Sequence, residues 1–255
     1  GGNVTTERPV LQGRRVLLGV TGGIAAYKAC ILVRLVRLHG ASVRVVMTRS
    51  AERFVGPATF AALSDHRVYT DLWEEPGVVL HIRLAHEADV AVVAPATANV
   101  LAKLTQGIAD DLLTSTLLEA SCPLVLAPAM HTGMWEHPAT QANANTLAAR
   151  GARIVGPARG ALAAGDEGMG RMTEPDEILR AIEDTLAAVG DLSGKRIVVT
   201  AGPTWEPIDP VRFVGNRSTG KMGFAVAAEA FARGAAVTLV VGPGTLEPPI
   251  GPAVT

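Results

Sequence analysis

The sequence predicts an α/β fold, an open parallel sheet with helices on both faces, followed by the start of a second α/β domain. Three observations carry this. Short β-branched apolar runs alternate with helical stretches over residues 14–190, the pattern of strands buried on both faces and joined by crossover helices. Apolar residues make up 48% of the 255-residue chain, enough for a sizeable core. At Lys195 the pattern restarts, because "KRIVVTAGPT" has the same strand-then-glycine form as the opening "RRVLLGVTGG". A sheet of this kind is flavodoxin-like or Rossmann-like.

The elements follow in order. "GGNVTTERPVLQG" (1–13) reads as a flexible lead with no apolar signal core. "RRVLLGV" (14–20) is a strand, and the helix from Ile24 to His39 is stopped by Gly40. "SVRVVM" (42–47) is the second strand, and residues 51–63 have helical spacing around a break at Gly56-Pro57. "ADVAVVAPA" (88–96), "CPLVLAPA" (122–129) and "ARIVGPA" (152–158) are the next three strands, with helices at 109–120 and 137–151 between them. Residues 156–172 are glycine-rich and aperiodic, which predicts a long mobile loop of the length usually kept for function. Residues 174–190 form a terminal helix with acidic residues in its first turn, and "DLSG" (191–194) is a linker. Residues 195–255 supply a strand, a helix over 220–234 and a second strand, the incomplete N-terminal part of a further domain.

Charge and cysteine content exclude several classes. Twenty-three basic and 24 acidic residues leave a net charge of −1, which argues against nucleic acid or an anionic membrane as partner. The two cysteines, Cys30 and Cys122, lie in apolar contexts. No disulfide framework is expected, and a reducing cytoplasm fits. No run reaches the roughly 18 apolar residues of a membrane span.

Ligands of open parallel sheets sit beyond the carboxyl ends of the strands. That rule selects "TGGI", "MTRS", "APATAN" and "APAMH", each directly after a strand. In "VTGGIAAYK", Gly22, Gly23 and Ile24 lead into a helix N-terminus that suits a phosphate. The spacing is not G-x-G-x-x-G, so a mononucleotide such as a flavin phosphate fits better than a dinucleotide; a plain tight turn is the other reading. Thr48 and Ser50 either bind the same phosphate or cap the next helix. Thr97, Ala98 and Asn99 either cap a helix or face a ring cofactor. "PAMHTGMW" (128–135) is either a core plug or the wall of a site, with Met130, Met134 and Trp135 as packing around His131.

Of the six histidines, His39, His66 and His137 read as structural. His81 and His86 are five residues apart on a helical segment, a rotation of about 140°, so they do not share a face. No spacing suits zinc, and no metal site is expected in residues 14–190. His81 follows a glycine-containing loop, where a side chain can look into a crevice.

Taken together and in this order, "TGGIAAYK", "HIRLAHEAD", "PATANVLAKLTQGIADDLL", "PAMHTGMW" and "GDEGMGRM" resemble the motifs of the flavin-dependent cysteine decarboxylases. The resemblance covers residues 14–255, because "TAGPTWEPIDPVRFVGNRSTGKMGFAVA" is similar to the start of the phosphopantothenate–cysteine ligase half found in bifunctional members serving coenzyme A biosynthesis. It implies FMN-dependent decarboxylation of 4′-phosphopantothenoylcysteine to 4′-phosphopantetheine by a domain at 14–190. The thiol carbon is oxidised to a thioaldehyde, carbon dioxide leaves, and the electrons return. His81 matches the essential acid/base histidine. Gly22, Gly23, Ile24, Thr48, Ser50, Thr97, Ala98 and Asn99 match FMN-contacting positions. His131, Met130, Met134, Trp135, Gly165 and Asp166 match the substrate wall and flap. The resemblance also implies a homo-oligomer built from trimers, with FMN near subunit contacts. For the ligase half it implies CTP and Mg²⁺, with Asn216 tied to the acyl-cytidylate and Gly202, Ser218, Gly220 and Lys221 facing nucleotide.

The chain departs from the family pattern at four places. His131 stands where an asparagine usually grips the substrate carboxylate, and an imidazole N–H can do the same. Ala164 stands where many members hold a cysteine used in the final reduction, so a product left oxidised is an open outcome. Trp205 replaces a common arginine. The later lysine-containing nucleotide segment is not among the 255 residues, so this chain alone is not expected to ligate. Two other readings remain: a flavin-binding regulatory subunit without catalysis, and a flavoenzyme acting on another substrate, such as a peptide cysteine decarboxylase or a flavin prenyltransferase. His81 favours an enzyme over the first, and the ligase-like segment argues against the second.

Overall fold

A computed structural model describes residues 10–161, 165, 167–190, 192, 194–216, 218–242 and 253–254. Five apolar runs pair into one parallel sheet: β1 (Arg15–Val20), β2 (Ser42–Met47), β3 (Val90–Ala96), β4 (Leu124–Pro128) and β5 (Arg153–Ile154), ordered β2-β1-β3-β4-β5. This is the flavodoxin-like order, in which the sheet is wound outward both ways from between β1 and β3. Every residue of the central strand β3 is buried, as coverage on both faces requires.

Alternation along the strands feeds two cores. Leu18, Val20, Val45 and Val92 point to one face, where they meet Val33 of α1 (Ala26–Leu38), Phe60 of α2 (Pro57–Ser64) and Ile178 and Ile182 of α8 (Pro175–Val189). Leu17, Val93 and Leu126 point to the other. They meet Leu84 of α3 (Leu80–Glu87), Leu101 of α4 (Ala98–Gln106), Leu113 of α5 (Leu112–Glu119) and Leu147 of α7 (Pro138–Ala149). The period-two switch from Leu17 to Leu18 is what divides one strand between two cores. A single turn, α6 (Thr132–Trp135), follows β4.

Two expectations need correction. Residues 156–172 are not an aperiodic loop, because they contain an antiparallel hairpin, β6 (Ala158–Ala161) with β7 (Glu167–Arg171). The hairpin has no hydrophobic period because glycines carry its contacts. A Cβ at Gly168 would overlap the Thr132 side chain, and one at Gly170 the Met130 carbonyl. So β7 docks backbone-first on the segment after β4, and the Met130 N–H donates to the Gly170 carbonyl at 2.9 Å. Second, the helix after β1 starts at Ala26 rather than Ile24, and the Ile24 side chain is left exposed.

The chain divides into two compact units, Gly1–Leu186 and Ala187–Thr255. In the second, β8 (Arg196–Ala201), β11 (Ala236–Val241) and β12 (Ala253–Val254) form a parallel sheet in the order β12-β11-β8. Helix α9 (Lys221–Ala232) packs Ala227 and Ala230 against Val199, Val237 and Leu239. A hairpin of β9 (Trp205–Pro207) and β10 (Phe213–Gly215) was not foreseen; its Trp205 and Phe213 rings stack at 4.6 Å.

Candidate active site

The carboxyl ends of β1, β2 and β3 meet at the point where the strand order reverses. Thr21, directly after β1, is buried, and its hydroxyl bridges two strands. It donates to the Pro95 carbonyl at 2.6 Å and accepts the Thr97 N–H at 3.2 Å. Gly22 follows with its backbone against the segment after β2, so close that a Cβ there would overlap Ser50. Thr48 accepts the Ala51 N–H at 3.3 Å. Thr97 caps α4 by accepting the Val100 N–H at 3.3 Å. Capping and site-lining are therefore compatible for Thr97, since its fold role aims the first turn of α4 at the crevice.

These ends enclose a cavity of about 620 Å³, within the usual range for a cofactor site. Gly22, Thr48, Ser50, Thr97, Ala98 and Asn99 all line it, as does Met134. Gly23 and Ile24 do not. Thr21, Arg49, Lys103 and Asp110 also line it, from within the quoted motifs though not singled out there, and so does Trp73, which no sequence motif had marked. Lys103 Nζ lies 2.7 and 2.9 Å from the two Asp110 carboxylate oxygens, and that contact holds the Asp110 carboxyl below the usual carboxylate range.

The donor set suits a phosphorylated ring. Hydroxyls of Thr48 and Ser50, the Arg49 guanidinium and a glycine backbone that no Cβ screens are donors for a phosphate. Leu72, Leu112 and Met134 give the same cavity an apolar portion for a planar ring. The residues present therefore fit a flavin mononucleotide.

"PAMHTGMW" divides between packing and site. Met130 and Trp135 pack against the second core, while Met134 is half-exposed and lines the cavity. His131 is exposed and caps α6, its Nδ1 accepting the Gly133 N–H at 3.4 Å. A ring nitrogen that accepts carries no proton, so in the neutral ring Nε2 bears the N–H. The Thr132 hydroxyl is buried beneath Gly168 with no hydrogen-bond partner among the described residues.

Of "PAMHTGMW" only Met134 lines the cavity; His131 does not, and the other expected residues also lie apart. His81 is half-buried on the first turn of α3 and does not line the cavity. His86 instead pairs with Glu119 at 2.9 Å on the surface. Gly165 is exposed with φ of 87°. Asp166 and Ala164 lie outside the described residues. In the second unit, Gly202 and Gly220 come together after β8 and before α9, where a Cβ on Gly220 would stand 3.2 Å from the Gly202 nitrogen. Asn216 Nδ2 donates to the Thr204 hydroxyl at 3.1 Å and its Oδ1 accepts the Ser218 N–H at 3.0 Å. Lys221 is exposed at the start of α9.

Comparison with known proteins adds to this geometry. Residues 5–187 match the family described as Flavoprotein, and residues 192–255 match the DNA/pantothenate metabolism flavoprotein C-terminal domain. The chain is 54% identical over 233 residues to the coenzyme A biosynthesis bifunctional protein CoaBC of Mycobacterium tuberculosis, covering 90% of this chain and 56% of that protein. It is 51% identical over 246 residues to CoaBC of Bacillus subtilis, covering 95% of this chain and 61% of that protein. The chain thus spans less than two thirds of these relatives. Among solved structures, the FMN-dependent cysteine decarboxylase SpaF shares 37% identity with a TM-score of 0.61, covering 69% of this chain and 97% of that one. A PPC decarboxylase mutant complexed with pantothenoylaminoethenethiol shares 36% identity with a TM-score of 0.62, covering 67% and 97%.

Proposed function

The chain belongs to the Flavoprotein family, and from that premise we propose that it decarboxylates 4′-phosphopantothenoylcysteine to 4′-phosphopantetheine with FMN, within coenzyme A biosynthesis. The observation that carries the reading is the cavity at the β1/β3 reversal. Its hydroxyl, guanidinium and unscreened glycine donors sit beside an apolar portion, and relatives of the same fold are named as FMN-dependent cysteine decarboxylases and CoaBC proteins.

FMN, when bound, supplies reversible two-electron oxidation of the thiol-bearing carbon, which lets the carboxylate leave. The protein binds, orients and moves protons. Gly22, Thr48 and Ser50 hold the phosphate, and Thr97, Ala98 and Asn99 flank the ring. His131 donates from Nε2 to the substrate carboxylate, the role its place after β4 suits. Its Nδ1 is engaged by the Gly133 N–H, so the ring is oriented before substrate arrives. His81 is the proton-transfer group. Because His81 does not line its own chain's cavity, this role goes with a homo-oligomer built from trimers, in which a neighbouring copy completes each site. The domain carrying this activity is residues 14–190, and its location is the cytoplasm.

Residues 195–255 are the first part of a CTP- and Mg²⁺-dependent ligase domain whose activity belongs to a protein of the relatives' full length. Asn216, Gly202, Ser218, Gly220 and Lys221 are its nucleotide-side residues.

The test is carbon dioxide release from phosphopantothenoylcysteine by the FMN-loaded chain, with His81→Asn as control. The expected result is release by the parent and a loss of about 10²–10⁴-fold in the variant, the usual contribution of a positioned acid/base. A variant as active as the parent removes His81 from this role. A flavin-loaded parent that releases no carbon dioxide favours a binding subunit without catalysis.

A further inference from the structure

We propose that Trp73 is a ring-contacting residue of the cofactor cavity, an aromatic wall that no motif in the chain marks. The proposal rests on the flavin reading above and extends it to a segment outside the strand ends. Residues 70–79 run from Tyr69, which bridges to Val46 of β2, to the start of α3. Thr70, Asp71, Leu72 and Trp73 of this loop line the cavity.

Two facts about Trp73 pull in opposite directions. Its side chain is 85% exposed, so it contributes almost nothing to any core, although indole is among the largest apolar groups a chain can bury. Yet the backbone that presents it is held on both sides. The Trp73 N–H donates to Asp71 Oδ1 at 3.0 Å. The Glu74 carboxylate accepts from the Thr70 N–H, the Thr70 hydroxyl and the Asp71 N–H, and is anchored by Arg67 at 3.0 Å. Glu75 accepts the Tyr69 hydroxyl at 2.8 Å and pairs with Arg83 at 2.9 Å.

A loop fixed this firmly around a solvent-facing tryptophan is ordered for a contact that folding alone does not require. Its place on the cavity wall identifies the contact as a ligand within. A planar heteroaromatic ring is the chemistry that indole recognises by offset stacking or edge contact, and the isoalloxazine of FMN is such a ring. Holding the loop in advance lowers the ordering cost of that contact.

The test compares Trp73→Ala and Trp73→Phe with the parent by FMN titration and by thermal unfolding of the FMN-free chains. Because the side chain is exposed, neither variant is expected to shift the unfolding midpoint. Trp73→Ala is expected to weaken FMN about tenfold, and Trp73→Phe to keep most of the affinity, as an aromatic contact requires. Parent-like FMN affinity in Trp73→Ala overturns the proposal, and so does a Phe variant as weak as the Ala variant. Loss of self-association with FMN affinity intact overturns it in favour of a contact between copies. A parent chain that takes up no FMN overturns the flavin reading and this proposal together.

Discussion

At the scale of the residue, the histidine after β4 carries the clearest chemical commitment. His131 caps α6 through Nδ1, and in the neutral ring the N–H is then carried by Nε2. An asparagine amide also offers an N–H from a short side chain, so the two can do one job. His131→Asn is therefore expected to keep decarboxylation within a few-fold of the parent. His131→Ala is expected to lower kcat/KM about 10–100-fold, the value of a hydrogen bond to a charged group. An alanine variant as fast as the parent in steady-state assays removes the carboxylate-gripping role. Residues of this kind were partly legible in the sequence. The position of His131 was, since it follows an apolar strand directly. The role of Thr21 was not, because its place in "TGGI" marks a strand end but gives no sign that its hydroxyl will bridge two strand ends.

At the scale of the element, the β6–β7 hairpin shows where sequence patterning fails. Its register on the segment after β4 depends on atoms that glycine lacks. Gly170 has φ of 148°, and a Cβ there would overlap the Met130 carbonyl. Gly170→Ala combines backbone strain with a steric clash, and is expected to destabilise the chain by about 2–4 kcal/mol in denaturant unfolding. Parent-like stability would mean that the hairpin does not dock as described. The strand-end elements were legible because each is a run of β-branched residues ended by glycine, proline or threonine. The hairpin was not, because backbone–backbone docking leaves no hydrophobic period.

A second contact at this scale anchors the far end of β7. Lys28 lies in the glycine motif yet does not face the cavity. Its Nζ donates to the Met172 carbonyl at 3.2 Å and pairs with Glu174 at 2.9 Å, with the lysine side chain 7% exposed. The Lys28 ammonium, helped by Arg171, holds the Glu174 carboxyl below the usual carboxylate range. A lowered folded-state value gives stability that is present above the ordinary carboxylate value, about 4.3, and lost as pH falls through the lowered one. Chemical denaturation of the parent from pH 6 down to about pH 3 is thus expected to show a loss that Glu174→Gln lacks in part. Identical pH profiles would deny the pair any energetic role.

At the scale of the whole molecule, the sheet order β2-β1-β3-β4-β5 is what gathers the site. Three segments far apart in sequence, at Thr21–Gly22, Thr48–Ser50 and Thr97–Asn99, line one cavity because β1 lies between β2 and β3. The alternation of apolar runs and helices made an open parallel sheet readable, but not its order, since flavodoxin-like and Rossmann-like orders both fit that alternation. The cavity's remaining wall was not readable. Thr70, Asp71, Leu72 and Trp73 come from a loop that no motif marks, and only the folded arrangement brings them to the strand ends.

The central claim is that this gathered cavity is a flavin mononucleotide site, and equilibrium titration of the purified chain with FMN tests it most directly. The account predicts saturable uptake of one FMN per chain, with a perturbed flavin absorption band, and weakened uptake in Gly22→Ala, where the added Cβ overlaps Ser50. A folded parent chain that binds no FMN, or a Gly22→Ala variant that binds as tightly as the parent, would contradict it.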